Sequence, residues 1–256
     1  MPKMSEHEIA QNGRPRAMGY PSAPITEAVF AIHPRRELQN ADLEVARDRL
    51  AMHYPKCIEM PFAEFSYDAE AATIDVKPNR PTYRLEGEDA SEVTLLRPDG
   101  LFVSQLAPYR SWDDLFERFN RDFFALNSIF NGKGLSRIAC RYINRIDVPF
   151  DGTIARNEDY LSVYIHVPDS IEAIGPFQLR FELAVPEIKS MAVIQSGLML
   201  PFPDNHASFA LDIDLARNFD VDLSSSDILV EFSKFRGPKN RLYRQFLTQK
   251  ALDQFQ

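Results

Sequence analysis

Arg137-Ile-Ala-Cys-Arg-Tyr-Ile-Asn-Arg-Ile-Asp-Val-Pro149 reads as one long central strand. Side chains on a strand alternate between its two faces. Arg137, Ala139, Arg141, Ile143, Arg145 and Asp147 therefore share one face, and Ile138, Cys140, Tyr142, Asn144, Ile146 and Val148 share the other. The second set is mostly apolar and calls for a helix layer or core. The first places a guanidinium about every 13 Å, at ~3.3 Å per residue. Such a row requires water, carboxylate partners or an anionic ligand.

Upstream of this strand lies the clearest helix of the chain. Ser111 is a good N-cap, and Asp113, Asp114 and Glu117 put negative charge where the helix dipole favours it. Trp112, Leu115, Phe116, Phe119, Phe123, Leu126 and Phe130 fall on one stripe, and Asn131-Gly132 ends the run. Core packing against the sheet explains that stripe better than an aromatic ligand box.

Further back, Ile25–Ile32 is nearly apolar on both faces and suits the interior of a sheet. Asn40 is positioned to cap a helix to about His53, with Leu43, Ala46, Leu50 and Tyr54 inward and Pro55 as its stop. Short strands are expected near Phe62–Tyr67, Ala72–Lys77, Thr82–Leu85, Glu92–Leu96 and Leu101–Leu106. Arg97-Pro-Asp-Gly100 joins the last two as a hairpin. Residues 1–20 lack periodicity and read as a flexible arm.

Downstream, 151–176 is turn-rich, and a boundary between two similar halves is expected there. Alternating runs follow at Phe177–Leu183, Ser190–Leu200 and Phe209–Leu215. Ser224-Ser-Ser-Asp227 resembles a capping box, opening a helix to about Phe235. Gly237-Pro238 should break it before a second piece from about Asn240 to Phe255. Together these elements predict one α+β domain over residues 21–256. It would be mainly antiparallel, curled into a strongly curved sheet or barrel, with helices outside.

The whole chain bounds the function. Its 256 residues are ordinary globular material, 45% hydrophobic and 26% charged. A net charge of −8 opposes nonspecific nucleic-acid binding. Cys57 and Cys140 are too few for a disulfide framework, and Cys140 falls on an apolar face, as a buried free thiol does. No apolar run approaches the ~20 residues of a membrane span. Met1 to Tyr20 lacks an apolar leader core, so the cytoplasm is the expected compartment.

Three charged sets could carry chemistry. Arg137, Arg141 and Arg145 could form an anion site, because guanidinium binds oxyanions bidentately; the competing arrangement pairs them with Asp212, Asp214, Glu182 or Glu27. Asp212 and Asp214 share a strand face and could hold Mg²⁺ or Mn²⁺; a solvated face or pairing with the arginines is the commoner outcome. Lys234, Arg236, Lys239, Arg241, Arg244 and Lys250 form a basic stretch free of Asp and Glu. It could meet nucleic acid, an acidic partner, or acidic strands of the same fold. Phosphate-loop, dinucleotide-binding, nucleophile-elbow and Cys-x-x-Cys motifs are absent, and the histidines lack metal spacing.

Several separated pieces together resemble a sporadically distributed bacterial family of uncharacterised proteins. They are Pro24-Ile-Thr-Glu-Ala-Val-Phe30, Arg97-Pro-Asp-Gly100, Leu106-Ala-Pro-Tyr109 with Trp112 and Phe116, Arg141-Tyr-Ile-Asn-Arg-Ile-Asp147, Leu211-Asp-Ile-Asp214 and Phe246-Leu-Thr248. The resemblance spans about residues 20–256. It implies a single full-length unit in a bacterial, cytoplasmic setting, and brings no established activity, substrate or catalytic residue. The family tends to carry His at the C-terminal helix break, where this chain reads Phe235-Arg-Gly-Pro238; a role for that His does not carry over.

The expectation from sequence is a binding or assembly protein without catalysis. The family's sporadic occurrence suggests an accessory or defence-type locus. The rival is a metal-dependent enzyme acting on a phosphate ester or nucleotide inside the barrel. A third reading is a nucleic-acid binder using the basic stretch. No cofactor is implied outside the metal-dependent rival. The leading reading leaves room for a protein partner or a homodimer.

Overall fold

A computed structural model describes residues 23–62, 65–68, 73–76, 80–150, 156–168, 170, 176–200, 204–220 and 225–256. The strands are β1 (Ile25–Pro34), β2 (Lys56–Phe62), β3 (Phe65–Asp68), β4 (Thr73–Val76), β5 (Arg80–Glu86), β6 (Glu92–Arg97), β7 (Gly100–Leu106), β8 (Leu135–Pro149), β9 (Gln178–Val185), β10 (Ser190–Leu198) and β11 (His206–Asn218). The helices are α1 (Asn40–Leu50), α2 (Trp112–Asn131), α3 (Ser225–Ser233), α4 (Arg236–Phe246) and α5 (Gln249–Asp253). The expected arm over 1–20, the cap at Ser224 and much of the 151–176 turn region lie outside the described residues.

Nine strands form one antiparallel sheet in the order β2-β5-β6-β7-β1-β8-β11-β10-β9, and β3 and β4 form a separate hairpin. The fold is α+β. The expected barrel is not formed: the order is linear, and no pairing among the described residues joins the edges β2 and β9. Strand number alone does not close a sheet; tilt and register must also match.

The chain makes two similar passes through this sheet. After β1 it crosses to one edge and returns through β5, β6 and β7 to lie beside β1. After β8 it crosses to the other edge and returns through β9, β10 and β11 to lie beside β8. Each return is followed by helix: α2 after the first, α3 and α4 after the second. The two passes join at the β1–β8 ladder, with Phe30 opposite Cys140 and Val29 opposite Arg141.

Described helices cover one face only. Phe30 in β1 is fully buried there, 4.7 Å from the ring of Trp112, 5.8 Å from Phe119 and 5.5 Å from Phe232. It thus pins α2 and α3 to the centre of the sheet. Ser111 Oγ accepts the Asp114 N–H at 3.0 Å, so the predicted cap of α2 is in place. The 97–100 hairpin also stands as expected. Gly100 is required there: its φ is 156°, and an added Cβ would lie 2.2 Å from the Ile32 carbonyl oxygen.

Three local expectations are corrected. Gln39, not Asn40, precedes α1, with Asp42 accepting the Gln39 N–H at 2.8 Å. β2 begins at Lys56, ahead of the strand expected near Phe62. Gly237-Pro238 does not break a helix; it sits in the first turn of α4, where proline gives up no needed N–H. The break falls between Ser233 and Arg236 instead.

Candidate functional site

The β8–β11 register runs unbroken from His206 opposite Pro149 to Asn218 opposite Arg137. No bulge disturbs the alternation read from sequence, so all three arginines of β8 stand on the face no described helix covers. Asp212 and Asp214 stand on the same face, opposite Ile143 and Arg141. Long guanidinium stems lean along the strand, so Arg137 and Arg141 pair diagonally across to β11 and Arg145 pairs within β8. Arg141 grips Asp212 with Nη2 at 2.6 Å and Nε at 3.0 Å. Gln195, directly across from Asp212 on β10, adds a hydrogen bond at 3.1 Å. Arg137 meets Asp214 at 3.6 Å, and Arg145 donates to Asp147 at 2.9 Å and Ser208 at 2.9 Å.

The sequence-derived anion row is therefore a row of ion pairs. The Asp212 side chain is only 9% exposed and the Arg141 side chain 44%. The bond to Asp212 raises the Arg141 pKa above its ordinary value. Burial raises that of Asp214, with Arg137 and Arg141 opposing the rise. As a metal site the pair is poor: Asp212 is committed to Arg141, Asp214 meets Arg137 at 3.6 Å and leaves Oδ1 buried without a hydrogen bond, and no group of three or more His, Cys, Asp or Glu suited to a metal exists among the described residues.

The pairing extends across the sheet. Arg84 and Lys56 both bind Glu86 at the β5 side, and Arg180 binds Glu182 on β9. By the strand registers all of these lie on the helix-free face. Cations (Lys56, Arg84, Arg97, Arg137, Arg141, Arg145 and Arg180) are thus interspersed with carboxylates (Glu27, Glu86, Asp147, Glu182, Asp212 and Asp214) on that face. Apolar Val29, Ile143, Val193 and Met191 stand between them.

The basic C-terminal stretch is dispersed rather than displayed. Lys234 pairs with Glu231, Arg236 with Asp113, Arg241 with Glu187 and Lys250 with Asp159. Arg244 is exposed, while Lys239 is buried. The acidic segments that neutralise the stretch come from the same fold, which removes its coherence as a phosphate-tracking surface.

Two buried polar groups on the helix-covered face were not singled out from sequence. In the first, Tyr54 donates to Asp122, Thr94 Oγ1 donates to Tyr54 Oη at 2.7 Å, and Arg121 holds the other Asp122 oxygen at 2.8 Å. Burial and the Asp122 charge push the Tyr54 pKa up to about 12. Arg118, one turn before Asp122, is spent on the Val93 and Ser104 carbonyls. This group ties α1 and α2 to the sheet. The second centres on Lys239, which is 2% exposed. Its Nζ lies 4.1 Å from the Tyr142 ring centroid and 5.7 Å from that of Trp112. Burial brings its pKa down to about 8. Helical spacing could have flagged Asp122, because Leu115, Arg118 and Asp122 recur at i, i+3 and i+7. No comparable signal set Lys239 apart from the other cations of the basic stretch.

No family model and no curated protein sequence matches this chain. No described helix is long and apolar enough to cross a membrane.

Proposed function

We propose that this chain is a binding or assembly protein without a catalytic step of its own, and that it docks a second copy of itself through the helix-free face of the sheet. The observation that carries the reading is the closure of the arginine row onto Asp212, Asp214 and Asp147. A catalytic or phosphate-binding row would leave guanidinium groups converging on a shared space. Here each arginine has a carboxylate of its own fold within 4 Å, and what remains is a broad face of interspersed charge with apolar side chains between.

A second copy is favoured by electrostatics. The chain carries a net −8, so two copies repel over most of their surface. On the helix-free face cations are interspersed with carboxylates instead of being outnumbered by them, and repulsion there is least. Alternating signs can re-pair across a two-fold axis, and isologous interfaces of this kind are the commonest in soluble oligomers. A cytoplasmic setting remains part of the proposal, and the accessory or defence-type locus rests on the resemblance alone.

Light scattering coupled to size-exclusion chromatography tests the reading. The expected result is a species of twice the 29.3 kDa chain mass, shifting to monomer when Arg141→Glu and Arg180→Glu are combined. A wild-type protein that stays monomeric as its concentration is raised would overturn it, as would a dimer indifferent to both substitutions.

A further inference from the structure

On the opposite, helix-covered side, the first turns of α2 and α4 meet over β8. Arg236 opens α4 and Asp113 lies in the first turn of α2; they form a bidentate pair at 2.9 and 3.1 Å. One turn into α4 comes Lys239, with its ammonium over the Tyr142 and Trp112 rings. Tyr142 and Tyr109 share a hydrogen bond at 2.9 Å between their hydroxyls. Only one of those two protons is used in the bond, so the pair still has a proton to donate.

Almost every polar group in this junction is a donor. Lys239 has no hydrogen-bond acceptor among the described residues, although it is 2% exposed. The aromatic faces attract its charge but accept none of its three N–H bonds. The start of α4 has no side-chain cap, and an added Cβ at Gly237 would meet open space. The first turns of two helices, whose ends carry partial positive charge, adjoin at the Arg236–Asp113 pair. Among the described residues no carboxylate pairs with Lys239, and Arg236 already holds Asp113. A buried, unpaired cation beside a second cation is costly unless an anion completes it.

We propose that the α2–α4 junction binds a small oxyanion, the carboxylate or phosphate group of a small molecule, with Lys239 and Arg236 supplying charge and the Tyr109–Tyr142 pair a hydrogen bond. The site is on the face opposite the docking surface and does not depend on it. Asp113 acts as the resident competitor for Arg236. Cys140 on β8 lies near the ammonium, and burial holds its thiol well above the ordinary range, so it stays neutral. Burial raises both tyrosines as well. In the empty site Lys239 loses its proton near 8, through burial with a further push from Arg236. A bound oxyanion requires the protonated form, so binding takes up a proton above that pH and weakens as pH rises.

Isothermal titration calorimetry with acetate and with inorganic phosphate, at matched ionic strength, tests this, and the two arms separate carboxylate from phosphate preference. At about pH 7 at least one anion should bind saturably. Affinity should fall by about tenfold for each pH unit above the Lys239 pKa of about 8. Lys239→Met should lose at least about tenfold, the scale of one charge-assisted contact. Asp113→Asn, at an exposed position that does not threaten the fold, should bind more tightly by freeing Arg236. Absence of saturable binding in the wild type overturns the proposal. So does binding that survives Lys239→Met unchanged, or that weakens in Asp113→Asn.

Discussion

Neighbouring residues of β8 meet opposite fates. Arg141, on the helix-free face, is 44% exposed and is gripped by Asp212, with Gln195 supporting the carboxylate. Tyr142, on the other face, is buried and backs Lys239, which pairs with no carboxylate among the described residues. The more accessible cation is paired, and the buried one is not. Charge pairing on a surface is cheap and modest in value, so the paired face reads as structure and docking. An unpaired buried cation opposes folding, and its presence asks for a ligand.

Substitutions can break this contrast, beginning with the wall that divides the two faces. Phe30→Ala removes the ring that joins α2 and α3 to β1, and should cost about 3–5 kcal/mol in urea denaturation. Lys239→Met should go the other way. Replacing an unpaired buried cation with an apolar side chain of similar length should stabilise the anion-free protein by about 1–3 kcal/mol. The pH dependence sharpens the point. Lys239 has a folded pKa of about 8 against an ordinary 10.5, so between these values the unfolded chain binds more protons. Stability should therefore rise with pH across that window, having been lowest below it, and Lys239→Met should abolish that rise.

On the paired face, Asp212→Ala leaves Arg141 and Gln195 without their shared acceptor. A loss of about 1–3 kcal/mol is expected, the cost of a nearly buried group's lost hydrogen bonds. Arg180→Ala, whose partner Glu182 is itself half-exposed, should change monomer stability by less than about 0.5 kcal/mol. A larger loss there would show that the edge pairs bear structural load, and would weaken their assignment to docking.

Much of the fold was legible because its patterns are local. The alternation through Arg137–Val148 placed the arginines on one face and Cys140 and Tyr142 on the other. The aromatic stripe from Trp112 to Phe130 and the cap at Ser111 gave α2. Closure of the sheet was not legible, because twist and edge pairing are properties of all nine strands together. Partner choice was half legible. Asp212 and Asp214 were foreseen as candidates for the arginines, but the diagonal offset depends on side-chain reach that spacing does not encode.

Lys239 was hidden by its neighbours. Set among Arg236, Arg241 and Arg244, it looked like one more solvated cation, and Gly237-Pro238 looked like a helix stop. Because proline is accepted in a first helical turn, α4 begins at Arg236, and this phase turns Lys239 toward Tyr142. Arg236 and Arg241 remain outward on their carboxylates. Arg118 and Asp122 were overlooked for a related reason. Charged residues on a mostly apolar stripe are ordinarily read as its border, yet both are buried in a network with Tyr54 and Thr94.

The claim at the centre of the account is that the β8 arginines are spent on their own fold. A double-mutant cycle on Arg141→Met and Asp212→Asn, read by urea denaturation, measures that directly. A coupling of about 1–2 kcal/mol between the two positions is expected. A coupling indistinguishable from zero would contradict it, and would return the arginine row to the search for a ligand.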